Sequence, residues 1–158
     1  QLAVELKKEG KTMAEVAQAL REAVSHVNVL LTVDDLDTLY RGGRLSKTSA
    51  IGGGVIGIKP IIAINAEGKL AATGKARGRK KAFNMLLETM ENNMGSYKDK
   101  QLFVGIAHGD AEEDALVLKK MIEEKFGIDK FVIEPIGPSI GAHTGPGAIG
   151  LAFLGDVR

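Results

Sequence analysis

The 158-residue chain has no cysteine and no tryptophan, four prolines and three histidines. Without cysteine there is no disulfide scaffold, no thiolate zinc site and no cysteine nucleophile. Three histidines, His26, His108 and His143, leave little for a histidine-rich metal site. Aromatic residues make up only 4%, so a stacking platform for single-stranded nucleic acid is not expected. Neither sign of charge is in excess. Lys+Arg 21 against Asp+Glu 20 leaves +1, too little for a global field toward nucleic acid or an anionic membrane. No apolar run approaches the ~20 residues that span a bilayer, and the first residues do not read as a secretory signal. A soluble, cytoplasmic protein is the expectation, with one domain and its own core.

Glycine, by contrast, is abundant. Its 20 residues are roughly twice the ~7% background. Eleven of them fall in two short stretches, 41–57 and 137–150. Glycine lets a backbone approach a neighbour or ligand closely, so function is sought there first.

Hydrophobic periodicity supplies the elements. Residues 1–9 read as a helix closed by Gly10, and Thr12 with Glu15 forms a capping box for a helix to about Ser25. Segment 27–32 (VNVLLT) is a strand, 34–40 a short helical turn, and 58–65 with 70–76 a hairpin around Ala66–Lys69. Pro60 suits an edge strand or a strand start. An apolar stripe of Phe83, Leu86, Leu87, Met90 and Met94 marks a helix over 79–94. Strands follow at 102–107, 131–136 and 148–154, with a helix between the first two that Asp110 and Glu113 open. The hairpin requires antiparallel pairing. The expectation is an α+β, two-layer fold: a mixed, largely antiparallel sheet of about six strands covered by amphipathic helices.

Several motifs have competing readings. Residues 52–57 (GGGVIG) match the dinucleotide pattern letter for letter, but a strand follows instead of preceding it. Close packing or a backbone wall beside a ligand is the better reading. Segment 43–48 (GRLSKT) is too short for a phosphate-binding loop. Arg41 and Arg44 flank two glycines, as an anion-binding pair or as a solvated turn. Five cations lie within 75–81, where a helix dipole opposes them, which suggests an acidic contact or a solubilising turn. Stretch 136–150 is the most unusual. It reads as a loop whose N–H groups form an anion nest, with His143 and Thr144 as donors. His108 reads as structural and His26 as a helix-end surface residue. No acid pair suggests general acid–base chemistry, so the residues describe an anion receptor better than a catalyst.

Segments 39–46 (LYRGGRLS), 58–61 (IKPI) and 137–150 (GPSIGAHTGPGAIG), in this order, resemble the DegV family of bacterial fatty-acid-binding proteins over nearly the whole chain. Family members have two α/β domains with a fatty acid held between them, and this chain resembles their second half. The resemblance therefore implies a helical tail at 1–25, belonging to or bridging from a missing N-terminal domain, and a C-terminal domain at 26–158. The serine and threonine of the family's first domain have no counterpart here.

The resemblance also implies a carrier, not an enzyme. It would hold a long-chain fatty acid, with no other cofactor and no metal, and present the carboxylate to a fatty acid kinase subunit for phospholipid synthesis. His143, Thr144 and Arg79 are then the headgroup residues. Ile51, Val55, Ile56 and Ile140 line the acyl chain, and Arg41, Arg44 and Arg77 contact the partner. Two alternatives stand beside this one: a phosphotransferase domain like that of dihydroxyacetone kinases, and a structural or dimerisation domain without ligand.

Overall fold

The computed structural model describes residues 2–34, 36–44 and 57–156. Helices α1 (Leu2–Lys8) and α2 (Met13–Val24) lead into strand β1 (Val27–Thr32) and the short helix α3 (Asp37–Arg41). The hairpin β2 (Ile58–Ile64) and β3 (Leu70–Arg77) precedes α4 (Arg79–Met94), which runs into a 3-10 helix at Gly95–Lys100. Then come β4 (Val104–His108), α5 (Glu112–Phe126), β5 (Phe131–Pro135), α6 (Pro138–Thr144) and β6 (Ile149–Leu154). The strands form one sheet in the order β3-β2-β1-β6-β4-β5. Every pairing is antiparallel except β4 with β5. A parallel pair cannot be joined by a tight turn, and α5 is the crossover between those two strands. The fold is α+β with a mixed sheet, as the hairpin and the two long helices require.

Side-chain alternation separates the two faces of the sheet. On one face Leu30, Ile61, Ile106, Ile149, Leu151 and Phe153 meet Phe83, Leu86 and Met90 of α4 and Leu118 and Ile122 of α5 in the main core. The other face has a smaller buried cluster of Val33, Leu39, Ile62 and Ala148, near α3 and α6. Ile61 and Ile62 point to opposite faces, and the register with β3 shifts between them. Thr73 is the extra residue of that bulge, and its hydroxyl donates to the Ile61 carbonyl at 3.3 Å. At the far end of this second face α1 and α2 lean over Val27, Ala152 and Leu154, enclosing an apolar pocket of about 370 Å³. Neither helix has a fully buried residue, and Met13 is 87% exposed.

Local chemistry accounts for the boundaries and for three departures from expectation. The capping box forms: Thr12 Oγ1 accepts from the Glu15 N–H and the Glu15 carboxylate accepts from the Thr12 N–H. Pro60 lies in β2, an interior strand, but β1 pairs only from Ile61 onward, so its missing N–H interrupts no ladder on that side. Asp110 does not cap α5. It adopts φ +49°, and the Ala111 N–H donates to His108 Nδ1 at 3.3 Å. His26 is partly buried, with Nδ1 3.0 Å from the Gly155 carbonyl oxygen and its ring 4.8 Å from Tyr97. Among the described residues no helix is long and apolar enough to cross a membrane.

Asp156 fastens the segment after β6 to the end of α4. Its carboxylate accepts from the Ser96 N–H and, at 2.8 Å, from the Ser96 hydroxyl. The Ser96 N–H first, and then that hydroxyl, hold its pKa below the usual carboxylate value. A carboxyl whose pKa is lower in the folded state stabilises the fold above its unfolded pKa of about 3.9. That contribution disappears as pH falls through the lower folded value. Asp156→Asn is therefore expected to flatten the acid limb of the stability profile below about pH 4, measured by urea denaturation across pH. An unchanged acid limb excludes this contribution.

Candidate functional site

The short helix α6 forms in a glycine-rich stretch because its ends are well specified. Pro138 occupies the first turn, where its missing N–H costs nothing. Gly145, at φ +72°, closes the helix, and its N–H donates to the Gly141 carbonyl at 2.8 Å. The N–H groups of Ile140, Gly141, Gly145 and Gly147 all donate to protein carbonyls. The expected anion nest is therefore absent at those groups. Glycine instead permits close packing here. Gly109 and the 147–148 segment exchange hydrogen bonds at 2.7 and 2.8 Å, and a β-carbon at Gly147 would fall 2.5 Å from the Asp34 carboxylate carbon.

His143 and Thr144 end α6 beside the end of α3. The imidazole of His143 lies against Gly42, and its Nδ1 is buried without a hydrogen-bond partner among the described residues. Thr144 is 6% exposed, and its hydroxyl donates to the Ile140 carbonyl at 3.2 Å. Both residues line an apolar pocket of about 500 Å³ on the second face of the sheet. Its walls include Val29, Leu31, Leu39, Ile64, Ile136 and Ile140, with Arg44 at the rim. Two small residues of its floor, Ala107 and Gly150, oppose each other in the β4–β6 ladder. Gly105 opposes Ala152, which lines the pocket under α1 and α2. Gly150, Ala152 and Leu154 follow one another on the same face of β6, so this pocket and the one under α1 and α2 lie along a single strand.

A second, polar pocket of about 810 Å³ adjoins the first, and Thr144 lines both. It holds Asp34, Arg79, His108, Asp110 and the acidic first turn of α5. Asp34 Oδ1 accepts from Arg79 Nη2 at 2.6 Å and lies 2.8 Å from Lys59 Nζ. Arg79 Nε is 2.9 Å from Asp114 Oδ2, and its guanidinium lies 5.8 Å from the centroid of the Phe83 ring. The arginine charge is thus already shared between two carboxylates. Its remaining buried group, Nη1, has no partner among the described residues.

The other expected residues are dispersed. Ile140 is 62% exposed but borders the apolar pocket. Arg44 donates from Nη1 to the Gly42 carbonyl at 2.9 Å, and Arg41 pairs with Asp37 at 3.5 Å. Arg77 is exposed at the end of edge strand β3. Ile51, Val55 and Ile56, with the glycines at 52–54, lie outside the described residues. Sequence reasoning passed over Asp34, Asp114 and Lys59, which no local pattern connects to Arg79. It also passed over the floor, although small residues at alternate positions of two strands (105 and 107, 150 and 152) were a readable signal.

Fold and pockets together define an α+β domain in which an apolar trough and a charged pocket meet at one threonine. The chain belongs to the DegV family: the family profile described as "Uncharacterised protein, DegV family" matches residues 1–156. A DegV domain-containing protein of Clostridium perfringens is 40% identical over 156 residues, 99% of this chain and 53% of that protein. A fatty-acid-binding DegV family protein from Thermus thermophilus superposes with a TM-score of 0.79 at 26% identity, over 97% of this chain and 54% of that one. The fatty acid kinase B3 protein of Streptococcus pneumoniae, loaded with linoleic acid, shares the fold with a TM-score of 0.84 at 22% identity, over 98% and 53%. The chain spans about half the length of the curated relatives it matches.

Proposed function

We propose that this chain forms one wall of a long-chain fatty acid carrier and presents the bound carboxylate to a partner kinase. The observation that carries the reading is the apolar pocket of about 500 Å³ whose lining includes His143 and Thr144, directly beside the charged pocket of Arg79. The fatty acid binding named for the Thermus relative and the linoleic acid named for the Streptococcus one support it. The acyl chain lies along β6, and the carboxylate sits at His143 and Thr144, with the Arg79 guanidinium in the adjoining pocket as the neighbouring cation. At ~0.8 kcal/mol per methylene, a 16-carbon chain gains on the order of 11 kcal/mol in any dry environment, so a carrier must match a bilayer. A buried carboxylate without donors would instead take up a proton.

In the proposed reaction, a carboxylate oxygen attacks the terminal phosphorus of ATP held by the kinase. The bond to the ADP oxygen breaks, and an acyl-phosphate forms. Arg41, Arg44 and Arg77 face the partner, and Ile51, Val55 and Ile56 complete the acyl lining. Residues 1–25 bridge to a further domain that supplies the opposite wall, and the carrier works in the cytoplasm. The test is mass spectrometry of organic extracts, with palmitate calorimetry, on this chain and on a chimera in which it replaces the matching half of the Clostridium relative. Fatty acid is expected in the chimera, with weaker binding by the chain alone and by a His143→Ala chimera. An extract free of lipid, or undiminished binding without His143, overturns the assignment.

A further inference from the structure

The two glycines after α3 are required for different reasons. Gly43 has φ +68°, and a β-carbon there would meet nothing within 4 Å among the described residues. Its backbone alone favours glycine. Gly42 is the opposite case: at φ −75° and ψ −4° it has ordinary helical geometry that any residue adopts. Yet a β-carbon there would overlap Nδ1 of His143 and lie 3.3 Å from its Cε1 and 3.2 Å from the Thr38 carbonyl oxygen. The carbonyl is a tight contact, whereas real β-carbons never come as close to a nitrogen as this one would to Nδ1. A side chain at 42 is excluded chiefly by the imidazole, since φ and ψ there are ordinary.

We infer that Gly42 is the positioning residue for His143: the bare end of α3 seats the imidazole and leaves Nε2 as its one nitrogen able to meet a ligand. Nδ1 is enclosed with no partner among the described residues. A proton placed on it would be a buried, unpaired donor, which costs more than an idle lone pair. The ring therefore carries its proton on Nε2 and acts as a donor. Arg44 holds the same residue through its bond to the Gly42 carbonyl, which ties the seat to the rim of the pocket. A displacement of the last turn of α6 would carry Thr144, the next residue, with it.

The inference rests on the fatty acid reading for its ligand but not for its geometry, and the test separates the two. Long-range nitrogen–proton NMR on the histidine rings of the ligand-free chain is expected to show the Nε2-protonated tautomer for His143. Gly42→Ala should shift that signal, whereas Gly43→Ala should leave it in place. Palmitate titrated into the same samples is expected to bind about tenfold more weakly to Gly42→Ala, the loss of one hydrogen bond to a charged group. In a His143→Ala background, Gly42→Ala should change nothing further, since the methyl then enters the space the ring vacates. An Nδ1-protonated ring, an unmoved signal in Gly42→Ala, or an equal loss of binding with and without His143 overturns the positioning role. Expected ring signals in the chain, with no palmitate bound even to the wild-type chimera, overturn the fatty acid reading and leave the positioning role intact.

Discussion

Gly150→Leu is expected to weaken fatty acid binding by roughly 100-fold while leaving the fold intact. A β-carbon at Gly150 would meet Ala107 at 3.8 Å, an ordinary contact, so the strand accepts a side chain there. That side chain projects into the trough that Gly150 helps to line. A leucine occupies the space of about four methylenes, each worth ~0.8 kcal/mol to the ligand, or ~3 kcal/mol in all. Thermal stability should hold or rise, because glycine is a poor strand residue. Calorimetry with palmitate and a melting curve on the same sample decide it. Unchanged affinity moves the acyl chain off β6, and a collapsed melting temperature shows that the second face is closed where the pocket is drawn.

Phe83→Ala is expected to have the largest effect on stability. The ring is 1% exposed, at the centre of the core between α4 and the sheet. Removing a buried phenylalanine leaves a cavity as well as losing transfer energy, typically about 3–5 kcal/mol, or roughly 10 °C or more in a domain of this size. It also withdraws the face over which the Arg79 guanidinium lies, so the Asp34–Arg79–Asp114 network should loosen with it. Met13→Ala, at an 87% exposed position, should stay within about 0.5 kcal/mol. Urea denaturation of both variants provides the comparison. A Phe83→Ala midpoint close to the wild type would place the core elsewhere.

Elements with a strong internal rhythm were legible. VNVLLT alternates, and β1 occupies Val27–Thr32 as expected; the stripe from Phe83 to Met94 lies on the buried side of α4. Helix α6 was hidden because glycine is a poor helix former. It exists through Pro138, Gly145 and its packing on α3, of which only the first two are local. Asp110 looked like a cap, but its positive φ turns the chain so that His108 receives the Ala111 N–H instead. His143 stands out as an isolated imidazole among glycines, while its seat on Gly42 joins two segments far apart in the chain, which no local pattern connects. Asp34 and Arg79 are 45 residues apart, and no periodicity connects two such charges. Strand order was equally invisible, since it is set by pairing between distant segments.

The position of β6 has a consequence for how the protein is made. It follows every other described element, yet it is inserted at the middle of the sheet, between β1 and β4. During synthesis β3-β2-β1 and β4-β5 emerge first, as two separate half-sheets, each with a bare inner edge. Such edges readily pair with other chains, and their closure waits on a contact of long sequence separation, which is slow to form. Only when Ile149–Leu154 has left the ribosome can the two halves become one sheet. The same strand supplies the floor of the proposed lipid trough, so a nascent chain has no trough before its sheet is complete.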